Sequence, residues 1–288
     1  MTQHAIHTIG IVGAGQMGAG IALVAAKAGC DVLLYDIQAG SLDAALERIR
    51  KGYAKQRQEG LISSSEEESA LRRIHTTHTL VDLADRHLIL EAAPEILEIK
   101  GDLFRQLGII CKPEVIFASN TSSISITKLG AMSGRATQVA GMHFMNPVPV
   151  MKLVELIRGL QTSDETISLL AGLADRMGKI VVESKDSPGF IVNRLLMPMV
   201  NEAIFALTEG IATAEMIDKA MTHGTNQPVG PLALADRIGL DTVLNICEIL
   251  YQEFGDQKFR PCPLLRKYVE AGWLGRKSGK GFYIYQHS

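Results

Sequence analysis

The chain has 288 residues, 47% hydrophobic and 21% charged, with a formal net charge of -2. This length allows one large domain or two ordinary ones, and the composition excludes intrinsic disorder. The charge balance lacks the basic surplus that nucleic-acid binding needs, and no apolar run approaches the roughly 20 residues that span a bilayer.

Cys30, Cys111, Cys247 and Cys262 are scattered with no CxxC pair, so neither a disulfide framework nor a metal site is expected. Met1 to His7 lacks a basic stretch followed by an apolar one, so no signal peptide is expected and the location is read as cytoplasmic.

Ile6 to Val12 is a short apolar run followed by glycine, which suits a buried parallel strand. Gln16 to Ala28, rich in Ala, Met and Leu and stopped at Gly29, predicts a helix with a glycine C-cap. Val32 to Tyr35 is again strand-like, and Ser41 to Gln58 reads as a long charged helix. Glu66-Glu67-Glu68 suits a solvated turn or a helix start.

Further strand-like runs are His87 to Glu91, Val115 to Ser119, Gln138 to Met142, Leu153 to Ile157 and Lys179 to Glu183, with helical stretches between several of them. One such stretch is Asp164 to Met177, preceded by Thr162 with Glu165 three positions on, the pattern of a capping box. Alternation of strand and helix predicts an α/β domain with a doubly wound parallel sheet.

The pattern changes after Glu183. Asp186-Ser187-Pro188-Gly189 is a turn cluster, and beyond it only helical stretches are read: Phe190 to Glu209, Thr213 to Met221, Pro231 to Ile238, Asp241 to Phe254 and Leu264 to Ala271. The expected domains are therefore an N-terminal α/β domain over residues 1–185 and an all-helical C-terminal domain over residues 186–288.

Gly13-Ala14-Gly15-Gln16-Met17-Gly18 fits GxGxxG. It follows a predicted strand, opens a predicted helix and precedes a second strand, which makes it the dinucleotide fingerprint of a Rossmann-type domain. Gly13 serves the tight turn, Gly15 leaves room for a pyrophosphate, and Gly18 lets helix and strand pack. Gln16 and Met17 lie within the same loop. Asp36 ends the second strand, where its carboxylate suits ribose hydroxyls and repels a 2′-phosphate. Ile37 and Gln38 supply no Arg to accept one. The cofactor is read as NAD.

Oxidising an alcohol with NAD needs a base for the hydroxyl proton, and His is the usual one. His4, His7 and His287 lie near the ends of the chain, and His75 lies in a charged stretch. His143 instead follows directly on the predicted strand Gln138 to Met142, where ligands of such sheets bind. Glu155 sits in the apolar run Leu153 to Ile157, where a carboxylate needs a partner. Read from residue types alone, a structural His–Glu pair and a catalytic one stand about even.

His143-Phe144-Met145-Asn146-Pro147 with Met151-Lys152-Leu153-Val154-Glu155 resembles the signature of the short-chain L-3-hydroxyacyl-CoA dehydrogenases, including the 3-hydroxybutyryl-CoA dehydrogenases. The likeness continues through Ser119-Asn120-Thr121-Ser122-Ser123 and Asp186-Ser187-Pro188-Gly189-Phe190-Ile191-Val192-Asn193-Arg194. It reaches Gly224-Thr225-Asn226-Gln227-Pro228 with Gly230-Pro231 and ends in Gly275-Arg276-Lys277-Ser278-Gly279-Lys280-Gly281-Phe282-Tyr283, so it covers essentially the whole chain.

The resemblance implies oxidation of an (S)-3-hydroxyacyl-CoA, with His143 as general base and Glu155 as its orienter. It places Ser122 and Asn193 at the substrate, and Glu95, Lys100, Ser122, Asn146 and Lys277 at the cofactor with Asn120 nearby. It also implies a homodimer through the helical domain and CoA contacts from the helical hairpin after the second strand, where Lys55 is the best candidate.

Two other readings stay open from the residues. One is a hydroxyacid dehydrogenase of the 3-hydroxyisobutyrate or 6-phosphogluconate type, which resembles a Lys-based pattern. The other is a non-catalytic, crystallin-like NAD-binding relative.

Overall fold

The computed structural model describes residues 5–285, so His4 and His287 lie outside the described residues. Two compact units are present, Met1–Ser187 and Pro188–Ser288.

In the first unit the strands are β1 (Thr8–Val12), β2 (Asp31–Tyr35), β3 (Ile74–Thr77), β4 (Leu88–Glu91), β5 (Ile116–Ser119), β6 (Val139–Phe144), β7 (Leu153–Arg158) and β8 (Ile180–Lys185). They form one sheet in the order β3-β2-β1-β4-β5-β6-β7-β8. Pairing is parallel from β3 through β6. β7 then runs antiparallel to β6, and β8 is parallel to β7. The sheet is thus mixed rather than wholly parallel, because only a short loop separates β6 from β7 and a parallel return needs a long crossover.

The helices of this unit are α1 (Gln16–Lys27), α2 (Ala39–Gln58), α3 (Ser64–Leu71), α4 (Leu97–Ile110), α5 (Ile126–Ser133) and α6 (Asp164–Arg176). Alternate strand residues such as Leu88, Leu90, Ile116, Ala118 and Met142 join α1, α2 and α6 in one apolar cluster. The intervening residues bury on the other face, where Phe117 meets Phe104 of α4 edge to face with ring centroids 6.0 Å apart. Helices therefore cover both faces, as the strand periodicity of two demands.

Several boundaries differ from expectation for local reasons. β3 is a short edge strand whose sequence, Ile-His-Thr-Thr, carries little apolar signal. His75, read as part of a charged stretch, lies on it. The acidic run is a helix start: Ser63 and Glu66 form a reciprocal capping box on α3. In α6 the N-cap is Ser163, which accepts from Thr166 N at 3.2 Å. Thr162 is not part of a capping box, because its hydroxyl donates to the Val139 carbonyl at 2.5 Å instead. β6 continues past Met142, so His143 lies within the strand and not after it.

The second unit contains α7 (Val192–Thr208), α8 (Ala214–Gly224), α9 (Pro231–Ile238), α10 (Leu240–Phe254) and α11 (Pro263–Glu270) around a core that includes Met197, Val200, Ile204, Leu232, Val243 and Leu265. Its final segment holds a single 3-10 turn, Arg276–Ser278, and isolated bridges join Gly275 to Lys280 and Lys280 to Ile284. Asp236, 1% exposed, gathers this segment by accepting from Phe282 N, Tyr283 N and the Tyr285 hydroxyl, each at 3.0 Å. Burial raises its carboxyl above the usual range while those donors pull it down. Among the described residues, no helix is long and apolar enough to cross a membrane.

Asp186, from the predicted turn cluster, fastens the start of α5. Its carboxylate accepts from Ser125 Oγ at 2.7 Å, Thr127 N at 2.8 Å and Ile126 N at 3.1 Å. Asp186→Ala leaves these donors without their acceptor and is expected to cost about 2 kcal/mol. A calorimetric scan should show Tm lowered by about 4–8 °C; an unchanged Tm contradicts this role.

Candidate active site

The carboxyl ends of the central strands form one row across the sheet. Val12 pairs with Glu91, Glu91 with Ser119, and Ser119 with Gly141. The fingerprint, the 119–123 segment and His143 all lie at this edge, where open α/β sheets bind ligands.

The fingerprint glycines are required by contact. Gly13 has φ +105° and a Cβ there would lie 2.6 Å from the Ala92 carbonyl oxygen. A Cβ on Gly18 would lie 1.8 Å from the Gly13 oxygen. Gly15 is the contrast, since a Cβ there meets nothing within 4 Å. Gly15 is also the N-cap of α1, with no side-chain cap and no acidic residue in the first turn. Open space beside uncapped N–H groups fits a pyrophosphate.

Asp36 lies just beyond β2 and spans the same loop: Oδ2 accepts from Ala14 N at 2.8 Å and Oδ1 from Gln38 N at 2.9 Å. Gln16 donates from Nε2 to Asn146 Oδ1 at 3.0 Å, so Asn146 adjoins the fingerprint. Met17 packs against the apolar core. These residues could hold a dinucleotide.

His143 on β6 stands directly opposite Glu155 on β7 in the antiparallel register. Their neighbours Met142, Phe144, Val154 and Leu156 belong to the cluster on the other face. Glu155 is 0% and His143 7% exposed. Nδ1 of His143 lies 2.8 Å from Glu155 Oε2. A carboxylate only accepts, so Nδ1–H donates, and the tautomer with its basic lone pair on Nε2 is fixed. Asn120 braces the end of β6, its Oδ1 accepting from Phe144 N at 2.9 Å.

A second network was only half visible in the sequence. Glu95 accepts through Oε1 from Ser122 N at 2.9 Å, Ser122 Oγ at 3.2 Å, Thr121 Oγ1 at 2.5 Å and Ser123 Oγ at 2.9 Å. Lys100 lies 3.4 Å from its other oxygen. Burial by itself raises the Glu95 carboxyl, but the Lys100 charge and these hydrogen bonds prevail and hold it below the usual carboxylate range.

Lys100 is no solvated lysine: it is 1% exposed and paired with Glu91 at 2.5 Å. Glu91, 0% exposed, also accepts from Ala93 N at 2.6 Å and Ser119 Oγ at 2.6 Å. Sequence reading took Glu91 only as a strand end. The available signal was a carboxylate closing an apolar strand, the same cue that singled out Glu155.

Asn193 and Lys277 belong to the second unit. Asn193, 9% exposed, lies in the first turn of α7 after Gly189 and Phe190, which have φ +73° and +50°. Lys277 is half exposed and paired with Asp241 at 2.6 Å. Lys55 on α2 is 75% exposed and lies 3.7 Å from Glu59.

Glu91→Gln removes the charge facing a buried ammonium and should destabilise the fold by about 3 kcal/mol. Adding Lys100→Met to that variant should recover part of the loss, as urea unfolding of both variants will show. Equal stability of Glu91→Gln and the parent chain refutes the pairing.

Residues 8–187 match the family of 3-hydroxyacyl-CoA dehydrogenase NAD binding domains, and residues 189–285 match the family of 3-hydroxyacyl-CoA dehydrogenase C-terminal domains. The chain is 52% identical to a probable 3-hydroxybutyryl-CoA dehydrogenase of Bacillus subtilis over 281 residues, 98% of each chain. It is 50% identical to the 3-hydroxybutyryl-CoA dehydrogenase of Bradyrhizobium diazoefficiens over 98% of this chain and 96% of that one. The crystal structure of (S)-3-hydroxybutyryl-CoA dehydrogenase PaaH1 from Ralstonia eutropha superposes with a TM-score of 0.95 at 48% identity, covering 98% of this chain and 100% of the other. The fingerprint, the His–Glu pair and these likenesses agree, and the chain belongs to the 3-hydroxyacyl-CoA dehydrogenase family.

Proposed function

We propose that the chain oxidises (S)-3-hydroxyacyl-CoA to 3-oxoacyl-CoA, with 3-hydroxybutyryl-CoA as the substrate that its relatives' names point to. The observation that carries the reading is the buried 2.8 Å contact between His143 Nδ1 and Glu155. The free hydroxyacid reading expects a Lys-based site, and the crystallin-like reading leaves this pair without a task.

The chain's own residues move the proton. Nε2 of His143 takes the proton of the 3-hydroxyl as the carbon–oxygen double bond forms. The imidazolium that results faces the Glu155 carboxylate in a water-poor site, where the attraction is strong. NAD, when bound at the fingerprint, supplies the acceptor for the C3 hydride. Gly13, Gly15, Gln16, Met17 and Gly18 would hold its phosphates and Asp36 its ribose, with Glu95, Asn120, Asn146 and Lys277 as further contacts.

Lys100 is fully buried and paired, so its part passes through Glu95. Ser122, whose hydroxyl donates to Glu95, and Asn193 offer polar groups suited to a hydroxyl and a thioester carbonyl. Exposed Leu195, Ile211 and Met216 in the helical unit favour a homodimer, testable by sedimentation.

NADH oxidation with acetoacetyl-CoA, set against free 3-oxo acids, tests the assignment; turnover of the free acids alone overturns it. His143→Gln should lower kcat by about 10²–10⁴-fold while NADH binding, read by fluorescence, survives. Asp36→Ala should weaken NADH binding and narrow the preference for NADH over NADPH. An unchanged cofactor ratio would remove Asp36 from the ribose site.

A further inference from the structure

The ladder that sets His143 against Glu155 stops at the ends of β6 and β7, so it does not reach residues 145–152, the loop between them that carries Asn146. Other contacts shape that loop. Val150 N and Met151 N both donate to the Pro147 carbonyl, each at 3.0 Å. Two points one turn apart on α1 meet it. Gln16 holds the Asn146 side-chain oxygen, and Gly20 leaves so little room that a Cβ there would lie 2.9 Å from Val148 Cβ. The ammonium of Lys179 donates to the Val148 carbonyl at 2.5 Å and to the Met151 carbonyl at 2.8 Å. Beside it, Ile180 N donates to the Lys152 carbonyl at 2.8 Å.

Lys179 is 6% exposed, and its acceptors are neutral carbonyls. Burial pushes its amine below the ordinary value. A charge withdrawn from water without a counter-charge costs stability, and a methionine of similar length would fill the space without that cost. What the ammonium supplies is geometry, since one nitrogen fixes two carbonyls three residues apart. Packing does not do this. Pro149, Val150, Met151 and Lys152 face a cavity of about 410 Å³ in place of a filled core, and Val150 is 71% exposed.

We propose that Lys179 is a positioning residue for the cofactor site, holding the β6–β7 loop so that Asn146 stands beside the glycine fingerprint. The assignment rests on the reading above that Asn146 contacts the dinucleotide. With its oxygen engaged by Gln16, Asn146 offers its amide N–H to a ligand there. The Lys179 ammonium is taken up by the loop carbonyls and acts through them. His143 and Glu155 are held by strand register and do not depend on it. Loss of the ammonium therefore shows in cofactor binding and spares the proton transfer.

The test is a double-mutant cycle of Lys179→Met and Asn146→Ala, read by NADH fluorescence and by reduction of acetoacetyl-CoA. Each single variant should raise the NADH dissociation constant about tenfold, and the double variant should bind no more weakly than Asn146→Ala alone. In Lys179→Met, KM for NADH should rise in step while kcat at saturating NADH stays within about twofold of the parent value. Its Tm should not fall, because a buried charge without a counter-charge has gone. If Lys179→Met does not fold, Lys179→Gln, with an amide donor and no charge, takes its place in the cycle. Additive losses in the double variant, an unchanged NADH constant in the lysine variant, or a loss confined to kcat would overturn the proposal. An unchanged constant in Asn146→Ala removes the Asn146 contact and the proposal with it. If the parent chain fails to reduce acetoacetyl-CoA, the functional reading falls while the NADH cycle still decides the role of Lys179.

Discussion

Because β7 runs against β6, His143 and Glu155 occupy opposite positions of one register, and their pairing follows from the strand ladder itself. Side chains alternate along a strand, so a slip of one residue would turn Glu155 into the apolar cluster that holds Val154 and Leu156. That cluster resists the slip. The hydrophobic pattern of two strands thereby fixes the tautomer of one imidazole, and with it the atom that acts as base.

A similar economy governs the other buried charges. Glu91 and Lys100 are withdrawn from water, which is costly unless geometry is good and the remaining hydrogen-bond capacity is filled. Here Ser119 and Ala93 complete Glu91, while Lys100 turns to Glu95 as well. The carboxylate of Glu95 in turn collects the 121–123 segment, so Ser122 is positioned by a chain of contacts that begins under the sheet edge. Glu91 reaches the 121–123 segment only through its neighbours Lys100 and Ser119.

Much of this was legible from the residues. The GxGxxG loop, the strand before it and Asp36 after it obey local rules, and a carboxylate within the apolar Leu153 to Ile157 run announced a partner. The direction of β7 was not legible, since an apolar strand reads the same whichever way it runs. β3 escaped notice because an edge strand with His and Thr lacks an apolar signature. Lys100 was placed at the cofactor by resemblance, and its burial was not legible because its pairing with Glu91 joins α4 to the end of β4, a tertiary fact. Thr162 misled because a hydroxyl beside a helix start suits more than one acceptor, and the Val139 carbonyl took it.

The link from Asp36 to Ala14 joins the end of the second strand to the glycine turn after the first. It spans 22 residues of sequence and ties together the parts that meet a phosphate and a ribose. A loop held in this way has already lost most of the conformational freedom that a bound dinucleotide would otherwise take from it. The entropy of ordering is charged to folding and not to association. Affinity for the cofactor is then set by contacts and desolvation, and successive turnovers need no rebuilding of the turn.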